Sequence, residues 1–149
     1  MIVLKIENVK EFMSHLFAGE MFDRFHVNGC EVTTFVEIQT DGRCHSEWFD
    51  TDERVEDSTG LVTWQQLKTM IFSLIKGKKT PERLRIDFCH YMNNGDMGSL
   101  RVQYEKEELL LYTGYMQKDF SMDKEKQREW DENCIHFLEK NKIASTQLD

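Results

Sequence analysis

The spacing of apolar residues near the N-terminus predicts a short strand followed by an amphipathic helix. Residues 1–6 are mostly apolar and read as a strand, and Asn8 is a suitable N-cap for a helix that stops around Gly19. Apolar side chains then recur every three or four positions, which places them on one helical face. That face consists of Val9, Phe12, Met13, Leu16 and Phe17.

The most regular passage, VTWQQLKTMIFSLIKGKK, predicts a second helix of the same kind. Thr63 and Gln66 have the spacing of a capping box, Gly77 is a typical helix stop, and Pro81 forbids continuation. The buried stripe of this helix is predicted to be Trp64, Leu67, Ile71, Leu74 and Ile75.

Alternating apolar residues predict the strands. In the first half we expect strands at 25–27 and 30–38 with a tight turn at 28–29, then a hairpin at Asp41-Gly42 whose second strand is 43–49. In the second half we expect strands at 84–91, 100–104 and 109–115. A final helix is predicted from about 121 to 141, with Trp130, Cys134, Phe137 and Leu138 on one face.

The two halves share one order of elements, β-α-β-β-β. The helical stripes align with an offset of 55 positions, which pairs Val9 with Trp64 and Leu16 with Ile71. The predicted fold class is therefore α+β, with duplicated β-α-β-β-β units, mainly antiparallel sheets and a C-terminal helix. We expect a single domain over 1–149, with repeat 1 at about 1–50 and repeat 2 at about 60–117.

This tandem pattern resembles one domain of the DNA sliding clamps, the processivity-ring family of proliferating-cell nuclear antigen and the bacterial polymerase clamp. The residues that carry the resemblance are MIVLKIENVKEFMSHLF, the Asp41-Gly42 hairpin, GLVTWQQLKTMIFSLI, LRVQY and LLLYTGY. The whole chain also resembles short uncharacterised proteins of clostridial bacteria through TWQQLKTMIFSLIKGKKTPERL, a likeness that implies no activity. The extra C-terminal helix departs from the clamp pattern.

The clamp resemblance implies a ring of six such domains, with helices that face DNA and an outer face that binds partner peptides. Only the second helix presents cations on its outward side, because the outward positions of the first are Glu11, Ser14, His15 and Ala18. An aromatic side chain among those cations suggests a surface for a protein partner or for DNA. The residues predicted for it are Lys68, Phe72, Lys76, Lys78 and Lys79.

Composition restricts the location and the partners. The formal charge of −8 disfavours a general nucleic-acid coat, because binding to phosphates needs clustered lysine and arginine. The first residues lack the pattern of a signal peptide, and no apolar run reaches the length of about 20 residues that a membrane span needs. Four widely spaced cysteines favour reduced thiols, so we expect a cytoplasmic protein without a membrane partner.

The search for catalytic or metal chemistry finds weak patterns only. Cys44-His45, Cys89-His90 and the Cys134/His136 pair lack the convergent spacing of zinc sites, and nothing orients a Cys-His nucleophile. The acidic loop at 50–57 lacks the glycine and glutamate positions of an EF-hand. We therefore expect no catalytic residue, no metal and no cofactor.

The preferred functional hypothesis is a non-catalytic interaction module that self-associates. One alternative is a small enzyme or ligand-binding domain with a pocket between the sheet and the last helix, formed by Tyr112, Tyr115, Trp130 and His136. The other is a DNA-associated relative of the clamps that uses the lysines of the second helix.

The position of Trp64 in the helical stripe gives a first prediction. If Trp64 is buried between helix and sheet, Trp64→Ala removes a large apolar side chain and leaves a cavity, so it lowers the free energy of unfolding by about 3 to 5 kcal/mol. Urea denaturation followed by circular dichroism measures this loss. A loss below about 1 kcal/mol would show that Trp64 is not buried.

Overall fold

Seven strands pair into one antiparallel sheet in a computed structural model, which describes residues 1–54, 57–77 and 79–149. The α+β class is thereby confirmed. The elements are β1 (Val3–Ile6), α1 (Val9–Phe17), β2 (His26–Thr33), β3 (Glu37–Thr40), α2 (Trp64–Ile75), β4 (Arg83–Tyr91), β5 (Met97–Glu105), β6 (Glu108–Met116), α3 (Glu125–Lys140) and β7 (Ser145–Leu148). The strand order is β3-β2-β4-β5-β6-β1-β7.

The predicted helix starts are confirmed by their capping bonds. The Asn8 side chain accepts a hydrogen bond from the Glu11 backbone N–H at 3.0 Å, and Thr63 and Gln66 form the reciprocal capping box of α2. Each cap satisfies backbone donors that the first helical turn leaves without partners. The C-terminal helix is also confirmed, as α3, a few residues shorter than predicted.

One face of the sheet carries the aromatic core and all three helices. Phe88 of β4 meets Trp64 of α2 at a ring-centroid distance of 5.5 Å and stacks on Phe22, which follows α1, at 5.0 Å. Phe137 of α3 meets Phe22 edge-on at 5.5 Å. The burial of Trp64 is confirmed, since its side chain is fully enclosed. These contacts tie each helix to the centre of the sheet.

The opposite face of the central strands carries charged side chains. Glu31 of β2 is buried there between two arginines, with 3.0 Å to Arg85 and 3.6 Å to Arg83. Asp87 accepts from Arg101 at 2.7 Å. Positive and negative side chains thus alternate across neighbouring strands, an arrangement that stabilises a sheet face in contact with water.

Three predicted features of the first half were wrong. The strand predicted at 30–38 is broken at residues 34–36, where the chain turns from β2 into the antiparallel β3. Residues 43–49 form no strand: the Asp41 carboxylate caps the Arg43 backbone N–H at 3.0 Å, and Ser46–Trp48 is a 3₁₀ turn. The reason is that residues 46–48 have no alternating apolar side that the core can bury. The predicted turn at 28–29 is a bulge within a continuous β2, because Gly29 packs against the Asp87 side chain of β4.

β7 is an unpredicted strand at one edge of the sheet. It pairs with β1 through four residues of low hydrophobicity, which give no strand signal of their own. β1 in turn pairs with β6, so the first and last strands of the predicted repeats are neighbours. The duplication itself, with its repeat bounds, stays a prediction.

The packing of α3 on the sheet gives a second prediction. Trp130 lies directly on Gly98 of β5, where an added Cβ atom would fall 2.5 Å from the indole ring. Gly98→Ala therefore forces α3 away from the sheet and lowers the free energy of unfolding by about 1 to 3 kcal/mol. Thermal and urea denaturation measure the effect.

The matched control is Gly114→Ala on the neighbouring strand. Its Cβ would meet the Ser99 hydroxyl, an end group that can rotate away, so we expect a loss well below that of Gly98→Ala. Equal losses from the two variants would contradict the proposed role of the close approach between Trp130 and Gly98.

Candidate functional site

Trp64 fixes how α1 and α2 lie against each other. Its indole N–H donates to the backbone carbonyl of Leu16, the penultimate residue of α1, at 2.7 Å. Phe17 then meets Trp64 at a ring-centroid distance of 5.6 Å on one side and Phe72 at 5.4 Å on the other. The last turn of α1 thus contacts both the first residue of α2 and Phe72 near its C-terminal end, and an apolar depression remains between the helices.

This depression is the helix groove, a cavity of about 880 Å³ that is open to solvent. Its walls are apolar side chains of α1 and α2, and its floor continues to Leu84 of β4 and Tyr104 of β5. Phe72 remains 46% exposed, a large fraction for an aromatic side chain. The apolar lining residues are Val9, Met13, Phe17, Ala18, Phe72, Ile75, Pro81, Leu84 and Tyr104.

The charged lining residues of the helix groove are mainly lysines. Lys10 of α1 borders it on one side, and Lys76 and Lys79 border it beyond the end of α2. All three side chains are exposed, and among the described lining residues only Glu107 of the β5–β6 turn is acidic. In a chain of net charge −8, this local excess of cations favours an anionic ligand.

A second cavity of about 800 Å³ extends the helix groove toward β3. The two cavities share Ile75, Lys76, Pro81 and Tyr104, so they form one continuous trough. The extension ends at Phe35, in the turn between β2 and β3, whose side chain is 95% exposed. Apolar side chains thus line the trough at the helix groove and again at Phe35.

A family model described as "Family of unknown function (DUF5721)" matches residues 15–98 and 92–145, which is most of the chain. The chain belongs to this family of unknown function. The matched residues include α2 and the end of α1, and hence Phe17 and Phe72 of the helix groove. No curated protein and no solved structure matches the chain. The candidate site of this member of DUF5721 is therefore identified by its geometry alone.

The structure brings together three of the five residues predicted for a partner surface. Phe72, Lys76 and Lys79 all line the helix groove. Lys68 is engaged elsewhere: its ammonium group donates to Asp23 at 2.7 Å and to the Gly19 carbonyl at 2.9 Å, and its side chain is only 16% exposed. Lys78 lies outside the described residues.

The four residues predicted for a ligand pocket lie apart. Tyr112 lines a depression on the charged face of the sheet, whereas Trp130 lies on the helix-covered face. His136 is exposed on α3. Tyr115 donates to Asp96 at 2.5 Å, and partial burial together with this bond raises the pKa of Tyr115 to about 12. Tyr115 is therefore a neutral donor that holds the turn before β5 against β6.

A smaller cavity of about 260 Å³ does lie between the sheet and α3. It is lined by Trp130, by His90, whose ring stacks on Trp130, and by apolar neighbours such as Phe25 and Phe137. Drug-sized ligands occupy cavities of about 300 to 1,000 Å³, so this one is small for the predicted pocket. It contains one of the four predicted residues.

The cysteines do not form a reactive centre in the described part of the chain. Burial raises the pKa of the Cys89 thiol to about 11 and that of Cys134 to about 12. Protonated thiols are poor nucleophiles and poor metal ligands at neutral pH. In the same described residues, one cluster of carboxylates is close enough to share a metal ion: the exposed Asp50, Asp52 and Glu53. Asp50 and Glu53 of this cluster cap a 3₁₀ turn.

Sequence reasoning missed the contribution of α1 to the site. Lys10, Val9 and Met13 line the helix groove, whereas the sequence pattern predicts no cation on the outward face of α1. The apolar stripe of α1 is wider than the core can cover, because Val9 and Met13 are only partly buried. The width of this stripe was the sequence feature that indicated additional apolar surface on α1. Only the position of α2 shows that this surface lines a groove.

The different roles of the lysines give a third prediction. Lys68→Met keeps the aliphatic stem but leaves Asp23 buried without its cation, so it lowers the free energy of unfolding by about 3 kcal/mol. Lys76→Met and Lys79→Met change exposed side chains and stay within about 0.5 kcal/mol of the wild type. Urea denaturation of the three variants provides the comparison. Three equal effects would contradict a structural role for Lys68.

Proposed function

We propose that this member of DUF5721 is a non-catalytic interaction module, which binds a short acidic and aromatic segment of a partner protein in the helix groove. The observation that carries the proposal is the exposure of Phe72 at the centre of an apolar groove bordered by Lys10, Lys76 and Lys79. Exposed apolar surface of this kind, with a charged border, is typical of protein interaction sites.

The chemistry of the groove determines the class of partner. Large apolar side chains of the partner would pack on the rings of Phe17 and Phe72, because aromatic anchors in pockets supply most of the binding energy at interfaces. Carboxylates beside those anchors would pair with the bordering lysines, which favours encounter and fixes the direction of the segment. A neutral or basic segment lacks this second contribution.

Several observations support a role in binding over one in catalysis. The helix groove contains no histidine, no cysteine and one carboxylate among its described lining residues, so it has no nucleophile paired with a base.

All four cysteines are unpaired, which supports a location in the reducing cytoplasm as part of the same proposal. No helix of the described residues has the length and hydrophobicity to cross a membrane.

The proposal is tested by selection from a displayed library of random peptides on the immobilised wild-type protein. We expect enriched peptides to combine at least one large aromatic or aliphatic residue with two or more acidic residues. Phe72→Glu places a negative charge at the centre of the groove and should weaken the binding of a selected peptide at least tenfold, as measured by fluorescence polarisation.

Met70→Glu is the matched control, because Met70 is an exposed apolar residue of the same helix that does not line the groove. It should bind the selected peptide like the wild type. Recovery of no peptide, or equal loss of binding in both variants, would contradict the proposal. Salt-dependent binding of duplex DNA that is lost in Lys76→Glu and Lys79→Glu would favour the clamp-related alternative instead.

A further inference from the structure

One segment of this chain has the chemistry that the helix groove is proposed to bind. Residues 46–53, here the Trp48 segment, read SEWFDTDE and contain four carboxylates and no cation. Trp48 is 83% exposed, the largest exposure among the three tryptophans, since Trp64 and Trp130 are buried. An indole this exposed buries little apolar surface on folding, so Trp48 contributes little to the stability of the fold.

The Trp48 segment is held in a defined conformation. Two 3₁₀ turns, Ser46–Trp48 and Thr51–Glu53, follow one another, and the second is closed by a capping box between Asp50 and Glu53. The Arg54 side chain donates to the carbonyls of Ser46 at 3.0 Å and Phe49 at 3.2 Å. A segment ordered before binding loses less conformational entropy on association, which favours its use as a ligand.

The Trp48 segment lies at the opposite end of the sheet from the helix groove. Gly42, before the segment, and Val62, after it, lie beside Val27 near the start of β2. The groove reaches Leu84, which pairs with Val32 near the end of β2. Val27 and Val32 are five positions apart along β2, which corresponds to roughly 17 Å along the sheet. The segment therefore does not occupy the groove of its own chain.

We propose that the Trp48 segment of one copy binds in the helix groove of a second copy. The inference rests on the proposed function, because it names the partner of that same groove. Trp48 enters beside Phe72, and the carboxylates of Glu47 and Asp50 meet the bordering lysines of the other copy. This pairing of opposite charges counters the general repulsion between two chains of net charge −8.

Each chain carries both halves of the contact, so two arrangements satisfy it. Two copies exchange their Trp48 segments in a two-fold dimer, or successive copies associate head to tail. A single short segment buries a small interface, which is typical of weak and reversible association. Self-association should accordingly increase with concentration.

Sedimentation of the full-length wild type, over a concentration series that reaches about 1 mM, tests for this contact. We expect the mean mass to rise with concentration, and the fluorescence of Trp48 to shift to shorter wavelength as its indole leaves water. Trp48→Glu removes the ligand half and Phe72→Glu removes the groove half, so each variant alone should remain monomeric over the same range.

Mixing the two variants gives the sharpest test. Phe72→Glu retains an intact Trp48 segment, and Trp48→Glu retains an intact groove, so an equimolar mixture should recover association as one-to-one pairs. A synthetic peptide of residues 46–53 should bind to Trp48→Glu and at least tenfold more weakly to the double variant with Phe72→Glu. A wild type that stays monomeric at the highest concentration, or a mixture that does, would overturn the inference.

Two controls exclude a general effect of added charge. Phe120→Glu changes another highly exposed aromatic residue outside both halves, and Met70→Glu changes α2 outside the groove, so both should associate like the wild type. Loss of association in either control would also overturn the inference. If library peptides bind the groove while the wild type stays monomeric, the proposed function stands and only the identity of the partner is wrong.

Discussion

The structure depends on the position of one side chain, the indole of Trp64. Its ring contacts Phe17 and Phe88, and its N–H donates to the Leu16 carbonyl near the C-terminal end of α1. A buried indole needs such a partner, because an unpaired N–H in the core costs about 1 to 3 kcal/mol. The hydrogen bond therefore determines where α1 ends relative to α2.

The candidate site follows from this constraint. The end of α1 is held at Trp64, whereas its earlier apolar residues Val9 and Met13 face the groove and remain partly exposed. Phe72, the residue directly after the buried Ile71, borders the same gap. The groove is therefore a place where two apolar stripes are wider than the core that they cover, and the nearby lysines give it a charge opposite to that of the chain.

The two faces of the sheet are stabilised by different interactions. The face under the helices is a closed aromatic core around Phe22 and Phe88, and Trp130 can approach the sheet there only because residue 98 is glycine. The other face carries ion pairs such as Arg85 to Glu31, and these charged side chains are stable in contact with water. The helix groove and its extension to Phe35 are where partly exposed apolar side chains of both helices and of the β2–β3 turn lie along one trough.

Local patterns were sufficient to predict the helices, the main antiparallel strands of the second half and the burial of Trp64. Capping residues and periodic apolar stripes act over a few positions, so they can be read from Thr63, Gln66 and their neighbours directly. The sequence also predicted that Phe72 lies outside the buried stripe of α2. Only the tertiary structure decided that Lys68 is used by Asp23, that Val9 and Lys10 join Phe72 in one groove, and that Tyr112 and Trp130 lie on opposite faces. These outcomes depend on contacts between residues far apart in the chain, and no periodicity within one element encodes them.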